Sequence, residues 1–275
     1  MLTNNSNFNH DYLIVKILLK IGIITILLVA ITYVVFYCTR VRKNQSKEIS
    51  LEYANHKTFI KDNLRDLPLL RFETRKPTTD YFIILFPGDG GWRDFIDYQS
   101  KNIAGNGINV VGFNTIHYFN HTRTPREIAR DIQRVKTNFS DDWGKNKVIL
   151  AGYSFGAEIL PFVYNELEDN FRNAVICMAL IAPSNHADFK VSPIYYYNPA
   201  RSKPVLPEIR KMKPVRTLIF CDKDRNSICG FLHGNESIDM IYLGFGHMFT
   251  GKYKKVSSLI TSSIIKESEN KQITR

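Results

Sequence analysis

The chain has 275 residues, of which 44% are hydrophobic and 23% charged, a composition typical of a globular protein. Its formal net charge of +11 favours a partner or surface rich in negative charge, such as nucleic acid or anionic lipid. The sequence contains no zinc-finger spacing, RNA-recognition signature or helix-turn-helix pattern, so a nucleic-acid partner is not expected. Metal-ligand spacing is also missing from the sequence, and we expect neither a metal nor another cofactor.

A long apolar run lies near the N-terminus. Residues 1–11 are polar and rich in asparagine, and we expect them to be disordered; residues 21–38 then form an uncharged run of 18 residues. With its flanks this run can cross a hydrocarbon core as a helix, so residues 12–39 are predicted to be a transmembrane anchor. A cleaved signal peptide is the alternative, but no small-residue cleavage site follows the run.

The basic residues around the anchor bear on its orientation. Two lysines, at positions 16 and 20, lie before the run, and four basic residues, at positions 40, 42, 43 and 47, follow it. Read by itself, the positive-inside rule would place the domain after the anchor in the cytoplasm. A polar connector is predicted over residues 40–64, followed by one domain over residues 65–268.

Strands alternate with helices over that domain. The predicted strands cover residues 67–73, 81–86, 109–113, 147–151, 174–181, 216–221 and 237–243, and the predicted helices cover residues 94–104, 125–138, 155–167 and 256–266. This alternation predicts an α/β fold with a doubly wound, mostly parallel sheet. Residues 188–214 break the rhythm with three consecutive tyrosines and five prolines, and form either a lid over a site or a long surface crossover.

The pentapeptide Gly152-Tyr153-Ser154-Phe155-Gly156 lies between a predicted strand and a predicted helix. A G-x-S-x-G sequence in that context is typical of a nucleophile elbow, in which the serine hydroxyl stands above the carboxyl edge of the sheet. Because serine is a weak nucleophile, the elbow needs a general base and an acid that orients the base. Ser154 is therefore the candidate nucleophile.

Candidates for both partners follow in the chain order Ser, Asp, His. His247 lies just after the last predicted strand, where the general base of this type of fold is expected. Asp222 and Asp224 both follow the strand that ends at about residue 221. We expect Asp224 to be the acid, because two or three residues would be needed to clear the strand end, and Asp222 is the alternative.

An oxyanion hole requires two backbone N–H groups. One is expected from Phe155, and the other from Asp89 or Gly90 in the glycine-rich turn after the strand 81–86. This turn matches neither of the glycine patterns that bind nucleotide phosphates. The Asp89 side chain either caps the next helix or attracts a cationic substrate group. We also expect Trp92 and Tyr153 to contact substrate.

Four cysteines are present, at positions 38, 177, 221 and 229. Cys177 lies in an apolar strand-like run and is predicted to be a buried, inert thiol. Cys221 and Cys229 flank a polar loop, and a disulfide between them is one option in an oxidising compartment.

Four segments together resemble the VirJ/AcvB bacterial virulence proteins. They are residues 87–93 (PGDGGWR), 122–125 (TRTP), 152–162 (GYSFGAEILPF) and 246–249 (GHMF). The resemblance covers about residues 65–265 and implies an α/β-hydrolase domain in the periplasm of a Gram-negative bacterium. Residue by residue, it implies Ser154 as nucleophile, Asp224 as acid and His247 as base.

The resemblance also implies an activity. AcvB-type members are associated with hydrolysis of the lysyl ester of lysyl-phosphatidylglycerol, and VirJ-type members with type IV secretion. We therefore expect a single-pass serine esterase of the bacterial inner membrane whose domain faces the periplasm and whose substrate is a phospholipid. The alternative is a non-catalytic or bifunctional envelope protein that binds type IV secretion components or their cargo.

Overall fold

The computed structural model describes residues 16–33, 35–36, 62–191, 202–223, 227–232 and 237–273. The chain divides between residues 52 and 53 into two units. The described element of the first unit is the helix α1 (Lys16–Tyr33), with 18 residues and a mean hydropathy of 2.1. Its two threonine hydroxyls donate to helix carbonyl oxygens, so they do not require water. By length and composition, α1 is able to cross a membrane.

The second unit is built around a seven-stranded sheet with the strand order β1-β3-β2-β4-β5-β8-β9. Its strands are β1 (Leu69–Phe72), β2 (Tyr81–Phe86), β3 (Val110–Phe113), β4 (Lys147–Tyr153), β5 (Val175–Ile181), β8 (Thr217–Cys221) and β9 (Ile238–Tyr242). All neighbouring pairs are parallel except β1 with β3. A short antiparallel pair, β6 (His186–Ala187) with β7 (Lys203–Pro204), lies apart from it. The predicted doubly wound, mostly parallel α/β fold is confirmed.

Helices cover both faces of this sheet. They are α2 (Asp94–Gly105), α3 (Thr115–Tyr118), α4 (Pro125–Trp143), α5 (Phe155–Asn165), α6 (Asp169–Ala174), α7 (Val205–Lys211) and α8 (Tyr253–Ile273), with 3₁₀ turns at Asp62–Leu64 and Ile228–Phe231. The ends of α4 show how sequence sets a boundary. Thr124 and Glu127 form a reciprocal capping box at its start, and Gly144 ends it in the left-handed conformation.

The core has two halves because side chains alternate across the buried strands. In β2, Phe82, Ile84 and Phe86 face the half that α4 and α5 cover. Tyr81, Ile83 and Leu85 face the half that α2 and α8 cover. All six side chains are buried, which explains why β2 appears in the sequence as an unbroken apolar run.

Several element boundaries differ from the predicted ones. The strand β4 continues two residues further, to Tyr153, because Gly152 and Tyr153 still pair with β5. The helix α4 runs five residues further, to Trp143, and β5 begins after Ala174, which ends the unpredicted helix α6. The elements α3, α6, α7, β6 and β7 are also missing from the sequence prediction, since each is short.

The segment 188–214 is described in part. The helix α7 buries Val205 and Ile209 in the core, and Asn165 at the end of α5 donates to the Glu208 carbonyl oxygen at 3.0 Å. Residues 192–201, which include the three tyrosines, lie outside the described residues, as do residues 1–15 and 37–61.

Candidate active site

The turn between β4 and α5 carries Ser154 in a backbone conformation that ordinary side chains rarely adopt, with φ 50° and ψ −118°. The Ser154 N–H donates to the Ile181 carbonyl oxygen at 2.9 Å, which ties the turn to the end of β5. Such strain persists only where the surroundings impose it, and it is common at functional sites.

The two glycines of the pentapeptide are required by close backbone approach. A Cβ atom on Gly152 would stand 2.4 Å from the Gly156 carbonyl carbon, and one on Gly156 would stand 2.1 Å from the Phe86 carbonyl oxygen. Real Cβ atoms do not approach other atoms so closely, so neither position accepts a side chain without a backbone shift. The strand end at Gly152 therefore packs against the first turn of α5, and that turn packs against the end of β2.

Three side chains converge at this turn. The Oγ of Ser154 lies 2.8 Å from Nε2 of His247, and Nδ1 of His247 lies 2.7 Å from Oδ2 of Asp222. A carboxylate only accepts hydrogen bonds, so Nδ1 carries the proton and Nε2 accepts from the serine hydroxyl. The structure thus brings together the sequence-predicted serine and histidine in the order that base activation of a nucleophile requires.

The carboxylate that contacts His247 belongs to Asp222 and not to the aspartate that we preferred from the sequence. We expected Asp224, which lies outside the described residues, whereas the structure places Asp222 on the imidazole. The strand β8 ends at Cys221, and the histidine loop runs directly beside that end, where the Lys223 N–H donates to the Phe245 carbonyl oxygen at 2.9 Å. One residue past the strand is therefore enough to reach His247.

A disulfide lies next to the acid. Cys221, at the end of β8, is bonded to Cys229 in the 3₁₀ turn Ile228–Phe231, which confirms that option from the sequence. Cys177 is buried, as predicted, and its thiol donates to the Met178 carbonyl oxygen at 3.4 Å. The disulfide joins the strand end that carries Asp222 to the polar loop beyond it.

The glycine-rich turn after β2 lies against the nucleophile. A Cβ atom on Gly88 would stand 3.5 Å from the Ser154 Cβ, and the Thr115 hydroxyl fixes the turn by donating to the Gly88 carbonyl oxygen at 2.5 Å. The Phe155 N–H is at the free first position of α5. Neither it nor the Asp89 N–H is hydrogen-bonded to another described residue. Gly90 is the next residue of the same turn.

The side chain of Asp89 is exposed beside this turn. Its alternative role as a helix cap is wrong, because α2 begins at Asp94 and its N-cap is Arg93, which makes no side-chain capping bond. An exposed carboxylate close to the nucleophile remains, and it can interact with a cationic group.

Two expected substrate contacts are instead structural. Trp92 is 2% exposed, stacks on Phe72 and covers Gly112, so it belongs to the core. Tyr153 is 8% exposed; its ring lies parallel to the imidazole of His247, and its hydroxyl donates to the His247 carbonyl oxygen at 2.8 Å. Tyr153 therefore positions the base rather than presenting a surface to substrate.

One polar residue of the site was missed by sequence reasoning. Glu158 lies one helical turn after Ser154, and its N–H donates to the Ser154 carbonyl oxygen at 3.0 Å. Burial raises the pKa of its carboxyl to about 7, although hydrogen bonds from Ser184 and the nearby His247 lower it. The available signal was an acidic residue in an otherwise apolar helix directly after the nucleophile.

Comparison with known proteins identifies the family. The family model described as "Bacterial virulence protein (VirJ)" matches residues 80–268. The chain belongs to the VirJ family. No curated protein matches it.

Solved structures share the fold of this VirJ-family protein. Est1E from Butyrivibrio proteoclasticus, with ferulic acid bound, is 11% identical with a TM-score of 0.52, over 73% of this chain and 96% of that one. An α/β serine hydrolase without a lid from Xanthomonas campestris is 13% identical with a TM-score of 0.51, over 72% and 88%. Proline iminopeptidase from Mycobacterium smegmatis is 8% identical with a TM-score of 0.52, over 72% and 94%. The fold is that of the α/β-hydrolases.

Proposed function

We propose that the protein is a serine hydrolase that cleaves carboxylic esters. The observation that carries this proposal is the continuous hydrogen-bonded chain from Ser154 through His247 to Asp222, with distances of 2.8 and 2.7 Å. Three residues that are far apart in sequence meet in this geometry, and activation of the serine as a nucleophile is the chemistry that the geometry supports best.

The first half of the reaction is acylation. His247 Nε2 takes the proton of the Ser154 hydroxyl while Oγ attacks the ester carbonyl carbon, and Asp222 stabilises the imidazolium that forms. The negative oxygen of the tetrahedral intermediate accepts hydrogen bonds from the N–H groups of Phe155 and Asp89. One such donor contributes about 2.7–4 kcal/mol to lowering the barrier. The intermediate collapses as the imidazolium gives its proton to the leaving alcohol.

The second half is deacylation. His247 removes a proton from a water molecule, and the resulting hydroxide attacks the acyl carbon bonded to Ser154. The second tetrahedral intermediate uses the same two N–H groups. Its collapse returns the proton to Ser154 Oγ and releases a carboxylic acid, so the enzyme is restored.

The finer proposal is that the ester is the aminoacyl ester of lysyl-phosphatidylglycerol, and that the enzyme is anchored in the inner membrane and faces the periplasm. The resemblance to AcvB-type proteins supports the substrate, as does the exposed carboxylate of Asp89 beside the oxyanion turn. The helix α1 supports the anchor. A hydrolase tethered in this way would meet lipid headgroups at high local concentration.

The direct test is covalent labelling of the full chain with a fluorophosphonate probe. We expect labelling of the unaltered protein, loss of labelling in Ser154→Ala, and retention in Ser262→Ala, which alters an exposed hydroxyl on α8. If the unaltered protein is not labelled, the hydrolase proposal fails. The alternative, a non-catalytic role in binding secretion components or cargo, would then be favoured.

A second measurement tests the substrate. The purified full chain is incubated with vesicles that contain lysyl-phosphatidylglycerol, and released lysine is quantified beside Ser154→Ala. Release by the unaltered protein alone supports the lipid proposal. Labelling by fluorophosphonate without release of lysine would mean that the enzyme hydrolyses a different ester.

A further inference from the structure

The carboxyl of Glu158 lies beside the reaction site, but the acid–base mechanism does not use it. Its N–H donates to the carbonyl oxygen of Ser154, the N-cap of α5, at 3.0 Å, so Glu158 lies one helical turn after the nucleophile. His247, which is hydrogen-bonded to the nucleophile, acts electrostatically on this carboxyl. Glu158 therefore lies on the nucleophile's side of α5.

One oxygen of this carboxyl is held in place. The Ser184 hydroxyl donates to Oε1 at 2.5 Å, and the Ser184 N–H approaches the same atom at 3.4 Å. Ser184 is itself fixed by a β-bridge to Ser227, beside the disulfide-bonded turn. These contacts hold the carboxyl in one orientation.

The other oxygen, Oε2, has no hydrogen-bond partner among the described residues, although Glu158 is only partly exposed. Oε2 is therefore available to a donor supplied by a bound ligand. The imidazole of His247 and the carboxylate of Asp89 both act electrostatically on Glu158, which places it within the charge distribution of the site.

We propose that Glu158 is a specificity-determining residue whose carboxylate binds a positively charged amino group in the acyl part of the ester. The inference rests on the proposed hydrolase function, since it places that amino group next to a carbonyl held at Ser154. A charge-assisted hydrogen bond of this kind is enough to prefer a cationic over a neutral acyl group by about tenfold or more.

The raised pKa of Glu158 is consistent with this role. Desolvation disfavours the ionised carboxylate in the free protein, and a bound ammonium group would favour it. Asp89 is exposed, so its charge is more strongly screened by water than that of Glu158. Of the two carboxylates near the nucleophile, Glu158 is therefore expected to discriminate more strongly.

The experiment measures ligand binding without catalysis. The full-length Ser154→Ala protein is titrated with β-alanine methyl ester and with methyl butanoate, which differ by an ammonium group in place of a methyl group. At about pH 8 both the ammonium group and most of the Glu158 carboxyl are charged. We expect about a tenfold lower Kd for the cationic ester, and a ratio near one in Ser154→Ala/Glu158→Gln.

Two controls separate charge recognition from a structural role. Asp169→Asn removes the same charge from α6, where Asp169 pairs with Arg172 and Lys213, and should keep the preference. Ser184→Ala breaks the contact to Oε1 but retains the carboxylate, so it should keep most of the preference. If the Gln variant does not unfold cooperatively, Glu158→Asp replaces it and should lower the ratio by withdrawing the carboxylate.

The proposal is overturned if the Ser154→Ala protein shows no preference for the cationic ester, or if the preference survives Glu158→Gln. Because Ser154 is absent from both proteins, neither result depends on catalysis. Failure of the hydrolase proposal is detected separately, by the absence of fluorophosphonate labelling.

Discussion

The two sides of the active site differ in how the chain builds them. The nucleophile side consists of five consecutive residues, Gly152–Tyr153–Ser154–Phe155–Gly156, wedged against the end of β2. The acid–base side consists of two loops that follow β8 and β9, with Asp222 and His247 separated by 25 positions in sequence. The first is determined by steric contacts within one turn, and the second by the approach of two loops.

This difference decides how each side responds to mutation. On the nucleophile side, a larger side chain would collide with neighbouring backbone atoms, so we expect such a mutation to lower the folding stability. On the acid–base side, an isosteric change leaves packing intact and alters the proton position, so we expect loss of rate with little loss of stability. Measuring both quantities for each variant tests this contrast.

The largest expected effect is on rate, from Asp222→Asn. The amide can donate to Nδ1 and so favours the wrong imidazole tautomer, which lowers kcat by up to about 10⁴-fold, or about 5 kcal/mol of barrier. Steady-state hydrolysis of an activated ester measures it. Asp224→Asn is the matched comparison and should retain most of the activity; a larger loss in that variant would reverse the assignment of the acid.

The next effect is on stability, from Gly156→Ala. The new Cβ atom would stand 2.1 Å from the Phe86 carbonyl oxygen, so β2 or α5 must shift, at about 3 kcal/mol or more. Urea unfolding of the two proteins gives the difference. Gly105→Ala, at the end of α2, has no atom within 4 Å of its added Cβ and should be close to neutral. Equal stability of the two variants would contradict the steric account of the elbow.

A pH-dependent effect is expected from Glu158→Gln. The carboxyl has a pKa of about 7 when folded against an ordinary value of 4.5, so it destabilises the protein wherever the unfolded chain is ionised. The penalty is absent below about pH 4.5, grows as pH rises and is complete above about pH 7, where it approaches 3 kcal/mol. The Gln variant lacks it. Its stability relative to the unaltered protein should therefore increase from about pH 4.5 to pH 8 in urea unfolding, and a difference independent of pH would refute this.

The smallest effect is expected from Tyr153→Phe. This change removes the hydroxyl that donates to the His247 carbonyl oxygen but keeps the ring beside the imidazole. Loss of a hydrogen bond that contributes about 1 kcal/mol should lower kcat about fivefold, because the loop that carries His247 is then held less firmly. Tyr98→Phe on the exposed surface of α2 is the control. If Tyr153→Phe raises KM alone, Tyr153 contacts substrate and the positioning role is incorrect.

Sequence reasoning succeeded where the determining contacts are local. The strand β2 was predicted from an apolar run, the start of α4 from Pro125, which suits the first position of a helix, and the start of α5 from the pentapeptide. It failed where distant segments decide. Asp224 was preferred because the strand end was considered without the histidine loop beside it, and Trp92 was placed in the site although Phe72 and Gly112 enclose it.

The sequence by itself determined the α/β fold, the nucleophile turn and the presence of a base, because buried apolar runs, glycine spacing and chain order act over short distances. Only the tertiary structure decided which aspartate reaches His247, that Tyr153 supports that histidine, and that Glu158 stands beside Ser154 with one oxygen lacking a described donor. The contacts of His247 with Asp222 and Tyr153, and that of Glu158 with Ser184, depend on segments brought together across the sheet edge, and no local pattern encodes such distances.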